Sequence, residues 1–169
     1  MRIAVRFLFF FTLGFMLVNC SGKNPQEYYD SGLSNIKDGK YEEALKDFET
    51  LIKEDPKNNL AVNAYFEMGK IFHGKLIKTF SSIESSEQAV EYYKVVADNY
   101  PDSPLAPNAL FMVGFIQANE LENLDAARDS YNKFLTKYPN SELAKSAEAE
   151  LENLGIPAEE ILMKKLKDQ

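Results

Sequence analysis

The chain has 169 residues, enough for one domain of ordinary size, and 45% of them are hydrophobic, enough to form a core. A formal net charge of −7, with no basic stripe, argues against nucleic-acid binding, because phosphates require neutralisation by lysine and arginine. One cysteine and one histidine exclude an internal disulfide and a Cys/His zinc cluster.

Residues 1–19 have the pattern of a secretory signal peptide. Arg2 and Arg6 introduce an apolar run over residues 7–18, in which only Thr12 is polar. This run is shorter than the roughly 20 residues that are needed to cross a bilayer. The only cysteine, Cys20, comes just after the run. The alternatives are an uncleaved anchor, or an ordinary signal in which Cys20 is incidental.

Residues 17–20, LVNC, resemble a bacterial lipobox, with Asn19 where Gly, Ala or Ser is usual. The resemblance implies that Cys20 receives diacylglycerol and becomes the first residue of the mature chain, so that its lipid anchors the protein in a membrane. Ser21 follows the cysteine, and a residue other than Asp at this place implies sorting to the outer membrane. Residues 20–24 are then a lipidated N-terminus and a short linker, and the rest of the chain is expected to face the periplasm.

The remainder of the chain contains an internal repeat. In three places a proline is followed by a leucine four residues later and by alanines five and eight residues later. The three sets are Pro56, Leu60, Ala61 and Ala64; Pro101, Leu105, Ala106 and Ala109; Pro139, Leu143, Ala144 and Ala147. The proline is expected to end one repeat, the polar residues after it to cap the next helix, and the alanines to let that helix pack closely on the previous one.

Helical periodicity predicts a pair of helices in each repeat. From Tyr41 to Ile52 the apolar residues recur at helical spacing, which indicates an amphipathic helix. Gly39 is expected to end the helix before it, and Pro56 to stop it. Residues 25–56 therefore read as helix, turn, helix and proline.

These features resemble the tetratricopeptide repeat (TPR) family. With Pro25 as position one, the family's signature positions 4, 8, 17, 20, 24 and 32 are occupied by Tyr28, Gly32, Tyr41, Ala44, Phe48 and Pro56. The resemblance implies an all-α solenoid of three helix-turn-helix repeats over residues 25–58, 59–103 and 104–141, with a capping helix over 142–154. Residues 155–169 are expected to form a short helix or tail. The small residues Gly32 and Ala44 are expected where the paired helices cross.

Eight extra residues separate the two helices of the second repeat, within residues 74–86. Four apolar residues there have helical spacing, Leu76, Ile77, Phe80 and Ile83. The insertion either extends a helix and exposes an apolar patch, which would be a second binding surface, or packs down onto its neighbours.

The TPR resemblance implies that the first helix of each repeat lines a groove through positions five and nine. These positions are held by Tyr29, Leu33, Phe66, Lys70, Phe111 and Phe115. Position five is aromatic three times, which favours an extended or helical peptide as the occupant. The alternative is that neighbouring helices bury some of these rings.

No nucleophile–base pair and no glycine-rich phosphate loop is visible in the sequence. His73 is interpreted as a helix-face residue that lines or flanks the groove, not as a general base. The sequence therefore predicts a protein that is not an enzyme and that needs no cofactor, metal or small-molecule substrate.

The junction YP-x-S-x-x-A-x-x-A, at Tyr100 and again at Tyr138, is more specific than a general TPR. It resembles the TPR regions of two periplasmic proteins, the lipoprotein of the β-barrel assembly machinery and the Tol-Pal-associated cell-division coordinator. This resemblance implies a scaffold that binds protein or peptide partners in the bacterial cell envelope, in outer-membrane protein assembly. The alternatives are a Tol-Pal, cell-division or cell-wall synthesis coordinator, and an accessory lipoprotein of another envelope complex.

Overall fold

The structure, a computed structural model, describes residues 24–167, and these residues form eight α-helices. The predicted signal peptide and Cys20 lie outside the described residues. The helices are α1 (Pro25–Lys37), α2 (Tyr41–Glu54), α3 (Asn59–His73), α4 (Ser82–Asn99), α5 (Ala106–Asn119), α6 (Leu124–Lys137), α7 (Ala144–Glu152) and α8 (Ala158–Lys167).

Successive helices pack as hairpins. The closest pairs are α1 with α2, α3 with α4, and α5 with α6, and each hairpin also packs on the next through α2 with α3 and α4 with α5. Helix α7 packs on α6 and closes the row. The predicted all-α solenoid of three helix pairs with a capping helix is therefore confirmed. The capping helix, Ala144–Glu152, is two residues shorter at each end than the predicted 142–154.

The helix ends follow from local chemistry. The Asn24 side chain accepts a hydrogen bond from the Glu27 backbone N–H, and the Glu27 carboxylate accepts one from the Asn24 backbone N–H. Helix α1 therefore begins with a capping box and has a proline in its first turn. Asn58 caps α3 by accepting from the backbone N–H of Leu60. Ser103 and Ser141 make the same bond to the residue two positions on, just before α5 and α7 begin.

The residue before each junction proline leaves the helical region, as the clash with the proline ring requires. Its φ and ψ angles are −142° and 78° at Asp55, −129° and 54° at Tyr100, and −130° and 52° at Tyr138. The two tyrosines also connect the repeats, because the Tyr100 hydroxyl donates to the Pro56 carbonyl and the Tyr138 hydroxyl donates to the Pro101 carbonyl. Each Tyr-Pro pair thus ends a helix, and its tyrosine also links its own junction to the preceding junction by a hydrogen bond.

Small residues lie where helices approach each other most closely. All six junction alanines are buried, Ala61, Ala64, Ala106, Ala109, Ala144 and Ala147. Gly32 faces Phe48, and a Cβ added there would lie 2.4 Å from Phe48 Cε1. The equivalent glycines face tyrosines in the same way: an added Cβ would lie 2.8 Å from Tyr93 at Gly69 and 2.8 Å from Tyr131 at Gly114. Each hairpin is therefore built on a glycine that rests against a buried ring.

Gly114→Ala is expected to lower the free energy of unfolding by roughly 1–3 kcal/mol through overpacking, less the roughly 0.5–1 kcal/mol by which alanine favours a helix over glycine. The reason is that the Tyr131 ring is fully buried and has no room to withdraw. Urea unfolding would measure the change, with Ser34→Ala at an exposed position of α1 as the control. A Gly114→Ala protein as stable as the natural one would contradict this crossing.

The insertion of the second repeat is a loop and does not extend a helix. Helix α3 ends at His73, and Lys75 adopts a positive φ of 54°, a conformation that a continuing helix cannot contain. Helix α4 starts afresh after Ser81, which forms a capping box with Glu84. Of the two alternatives left open for this segment, the helix extension is therefore excluded, because only Ile83 of the four apolar residues lies in a helix.

Candidate functional site

The six predicted groove residues all retain exposed surface. Leu33 is 38% exposed, Lys70 is also exposed, and Tyr29, Phe66, Phe111 and Phe115 are half-buried. They lie on α1, α3 and α5, which are the first helices of the three hairpins. We call this row of residues the first-helix groove.

Each ring at position five rests on a core ring of its own hairpin. The ring centroids are 5.8 Å apart for Tyr29 and Phe48, 5.3 Å for Phe66 and Tyr93, and 5.8 Å for Phe111 and Tyr131. The partner ring is in each case the one that lies against the hairpin's glycine. One side of the position-five ring is thus packed and the other is open, so neither full exposure nor full burial describes it.

Groove residues of neighbouring repeats lie close to one another. Burial raises the pKa of Tyr29, and the carboxylates of Glu67 and Asp30 add to that effect, which places Tyr29 of α1 near Glu67 of α3. Glu67 in turn accepts from Lys70 at 2.7 Å. On the other side of α3, the His73 ring lies 6.4 Å from the Phe115 ring of α5. Side chains of neighbouring first helices therefore lie close to the groove residues of the next hairpin.

The groove changes character along its length. Helices α1 and α3 contribute charges beside their rings, through Asp30 and the Glu67–Lys70 pair. Helix α5 contains no charged residue at all. Its half-buried stripe consists of Phe111, Met112, Phe115 and Ala118. An occupant would meet charges at one end of the groove and an apolar surface at the other.

A polar cluster joins the insertion to the third repeat. Glu120 Oε1 lies 2.8 Å from His73 Nε2, and Glu120 Oε2 accepts from Lys75 Nζ at 2.7 Å and from Ser86 Oγ at 2.5 Å. Sequence analysis placed His73 on a helix face but missed its partners, since Glu120 is 47 residues away. The cluster fixes the start of the insertion loop.

Burial alone would raise the pKa of the Glu120 carboxyl, but the hydrogen bonds from Lys75 and Ser86 and the nearby His73 outweigh it and hold the pKa below its ordinary value of 4.5. The ionised carboxylate therefore stabilises the fold above that pH, and the stabilisation is lost as the pH falls through the lowered pKa of the folded state.

Glu120→Gln is expected to lower the free energy of unfolding by roughly 1–2 kcal/mol near neutral pH, because hydrogen bonds to charged groups contribute about this much. The difference in free energy of unfolding between this variant and the natural protein should become smaller at acidic pH. Urea unfolding as a function of pH tests this, and a pH-independent difference would contradict it.

Only some of the four residues predicted to form a second surface are exposed. Ile77 is 3% exposed and belongs to the core, which corrects its assignment, and Leu76 is half-buried. Phe80 is 40% exposed, and its ring packs edge-to-face with Phe72, with 5.3 Å between the ring centroids. Ile83 is 62% exposed. No helix is extended, so the insertion packs down through Ile77 and leaves Phe80 and Ile83 exposed.

Within residues 24–167, no group of three or more His, Cys, Asp or Glu side chains is arranged to hold a metal ion. In the same part of the chain, every helix is too short or too polar to cross a bilayer.

Two tetratricopeptide-repeat family models match the chain, one over residues 25–58 and the other over residues 63–103 and 108–141. Together they cover well over half of the sequence. No curated protein is similar enough to count as a relative. Repeats of this type mediate protein–protein interaction, which agrees with a row of half-open rings on the first helices. The chain belongs to the tetratricopeptide-repeat family.

Proposed function

We propose that this protein is a lipid-anchored scaffold of the bacterial cell envelope, whose first-helix groove holds a peptide segment of a partner in outer-membrane protein assembly. The observation that supports peptide binding is the threefold recurrence of a half-open aromatic ring, Tyr29, Phe66 and Phe111, at equivalent places of successive first helices. Because the fold already holds these rings in place, they offer apolar contact area to a peptide with little loss of side-chain conformational entropy on binding.

The character of the groove restricts its occupant. The neutral stripe of α5 suits apolar anchors, and the carboxylates beside Tyr29 suit a cationic group at the other end of the bound segment. The occupant is therefore a segment with apolar side chains toward α5 and a Lys or Arg toward α1. Interface aromatics of this kind contribute most of the binding energy when a partner side chain covers their open side.

Placement in the envelope rests on residues 1–20, which lie outside the described residues. A basic start, an apolar run too short for a span, and a single cysteine after it support lipidation of Cys20 and a location at the outer membrane facing the periplasm. The remaining alternatives are a Tol-Pal, cell-division or cell-wall synthesis coordinator, or an accessory of another envelope complex. Purification of the intact protein from membranes with its partners decides between them: barrel-assembly subunits support the proposal, and Tol-Pal proteins or cell-wall synthases support the alternative.

Cys20→Ala is expected to abolish lipid attachment completely, because no other thiol exists in the chain. Growth with a radiolabelled fatty acid, followed by isolation of the protein, measures the attachment. The natural protein should carry the label and the variant should not. Equal labelling of both proteins would contradict lipidation of Cys20, but it would not bear on peptide binding in the first-helix groove.

A further inference from the structure

Exposed apolar side chains are concentrated on one side of the solenoid. Seven large hydrophobic side chains of the described residues are exposed, and only Leu33 belongs to the first-helix groove. The other six are Phe80, Ile83, Leu124, Ile156, Met163 and Leu166. Single exposed apolar residues are ordinary on protein surfaces, whereas a contiguous set marks an interaction site.

Topology brings four of these residues, Phe80, Ile83, Leu124 and Ile156, to the same edge. The first helices run in one direction and the second helices return, so the turn within each hairpin lies at one end of the solenoid. Phe80 and Ile83 flank the α3–α4 connection, Leu124 begins α6 directly after the α5–α6 turn, and Ile156 follows α7 at the same end. We call this set, together with Leu121 of the α5–α6 turn, the turn edge.

Contacts make the turn edge continuous. Lys75 of the insertion donates to Glu120 at the start of the α5–α6 turn. Ile83 and Leu121 line a common cleft of about 430 Å³. At the far side, an added Cβ on Gly155 would lie 3.1 Å from Leu124 Cδ1, and Leu124, Ile156 and Ile161 line a second cleft of about 340 Å³. Ile83, Leu124 and Ile156 thus line two clefts, and the linings of these clefts adjoin at Asn123 and Leu124.

The charges around the first cleft are acidic. Glu87, Glu120 and Glu122 line it together with Ile83 and Leu121. Glu120 is engaged by Lys75, and among the side chains that the structure describes, no lysine or arginine forms an ion pair with Glu87 or Glu122. Both side chains are exposed and so can receive cations from outside.

We propose that the turn edge is a second docking surface, separate from the first-helix groove, for a protein segment whose aliphatic side chains enter the two clefts and whose flanking Lys or Arg side chains pair with Glu87 and Glu122. Charge complementarity selects this occupant. An anionic lipid surface would be repelled by the same carboxylates. A second copy of the chain would bring like charges together, since the net charge is −7.

The test uses the full chain in a nonionic detergent and a labelled synthetic helical peptide that carries leucines on one face and lysines at its flanks. Fluorescence anisotropy measures binding, and binding to empty micelles is subtracted. Ile83→Ser with Leu124→Ser is expected to weaken binding about tenfold or more, because apolar anchors dominate such interfaces. Glu87→Gln with Glu122→Gln is expected to weaken it about threefold to tenfold, as for exposed ion pairs. All four positions are exposed, so the variants are expected to keep the fold, which circular dichroism checks.

Matched controls separate docking from general attraction to an acidic protein. Leu166→Ser removes an exposed leucine of α8 that lines neither cleft, and Glu49→Gln with Glu54→Gln removes two exposed charges of α2 that lie away from the turn. Neither control should change binding. A peptide of equal charge in which alanine replaces leucine should bind about tenfold more weakly. The proposal is overturned if the control charges matter as much as Glu87 and Glu122, if the alanine peptide binds equally well, or if the edge variants instead abolish self-association or binding to anionic vesicles.

Discussion

Phe48→Ala is expected to lower the free energy of unfolding by roughly 3–5 kcal/mol, the usual cost of emptying a buried phenylalanine site. Phe48 is fully buried, its ring fills the space over Gly32, and it supports the Tyr29 ring. Urea unfolding measures the loss.

Phe66→Ala provides the comparison for this core position. Phe66 is half-buried and packs on Tyr93 from one side, so its truncation should cost about 1–2 kcal/mol, roughly half of what full burial of the ring contributes. The contact with Tyr93 is the reason why a residue of the groove contributes to stability at all. If the two variants are equally unstable, Phe66 is a core residue and the groove does not extend across α3.

Phe111→Ala is expected to weaken partner binding by about 2 kcal/mol or more, about thirtyfold in affinity, which is the effect of removing an interface anchor. Its ring packs on Tyr131 and Phe134 from behind and presents its other side beside Met112 and Phe115 of an uncharged helix. A partner's apolar side chain would lose most of its contact area without that ring. The measurement is the affinity for a partner obtained with the intact protein, at a temperature where the variant is fully folded.

The control for Phe111→Ala is Leu135→Ala, on the second helix of the same hairpin. Leu135 is also half-buried and packs against the core, so its loss should cost comparable stability. It does not lie on a first helix and should leave affinity unchanged. If both variants lose affinity to the same degree, the effect comes from stability and the groove assignment fails.

The fold was largely predictable because its rules are local and repeated. Proline stops the preceding helix through its immediate neighbour. The alanines and glycines occupy the same positions in each repeat, so one register places the helix or ring that each of them accommodates in the next helix. Gly39 illustrates this: it takes a positive φ of 73° and ends the first helix where its position in the sequence indicated.

The site was less predictable because it depends on contacts distant in sequence. Register alone placed Phe66 and Phe111 on first helices, but the extent of their burial is set by Tyr93 and Tyr131 on the following helices. The Glu120 cluster joins residues 34 to 47 positions apart, which no spacing rule connects. The insertion has apolar spacing typical of a helix, yet the positive φ of Lys75 and the cap at Ser81 make it a loop.

The most direct test of the groove is photo-crosslinking in living cells, with benzoylphenylalanine placed at Phe66 or Phe111 and, as the control, at Asp129, an exposed residue of the second helix α6. Crosslinkers at Phe66 and Phe111 should capture the same envelope protein, since their rings are held at equivalent places of adjacent first helices. The Asp129 crosslinker should not capture it. Capture of that protein from Asp129 alone, with none from Phe66 or Phe111, would contradict a partner bound in the first-helix groove.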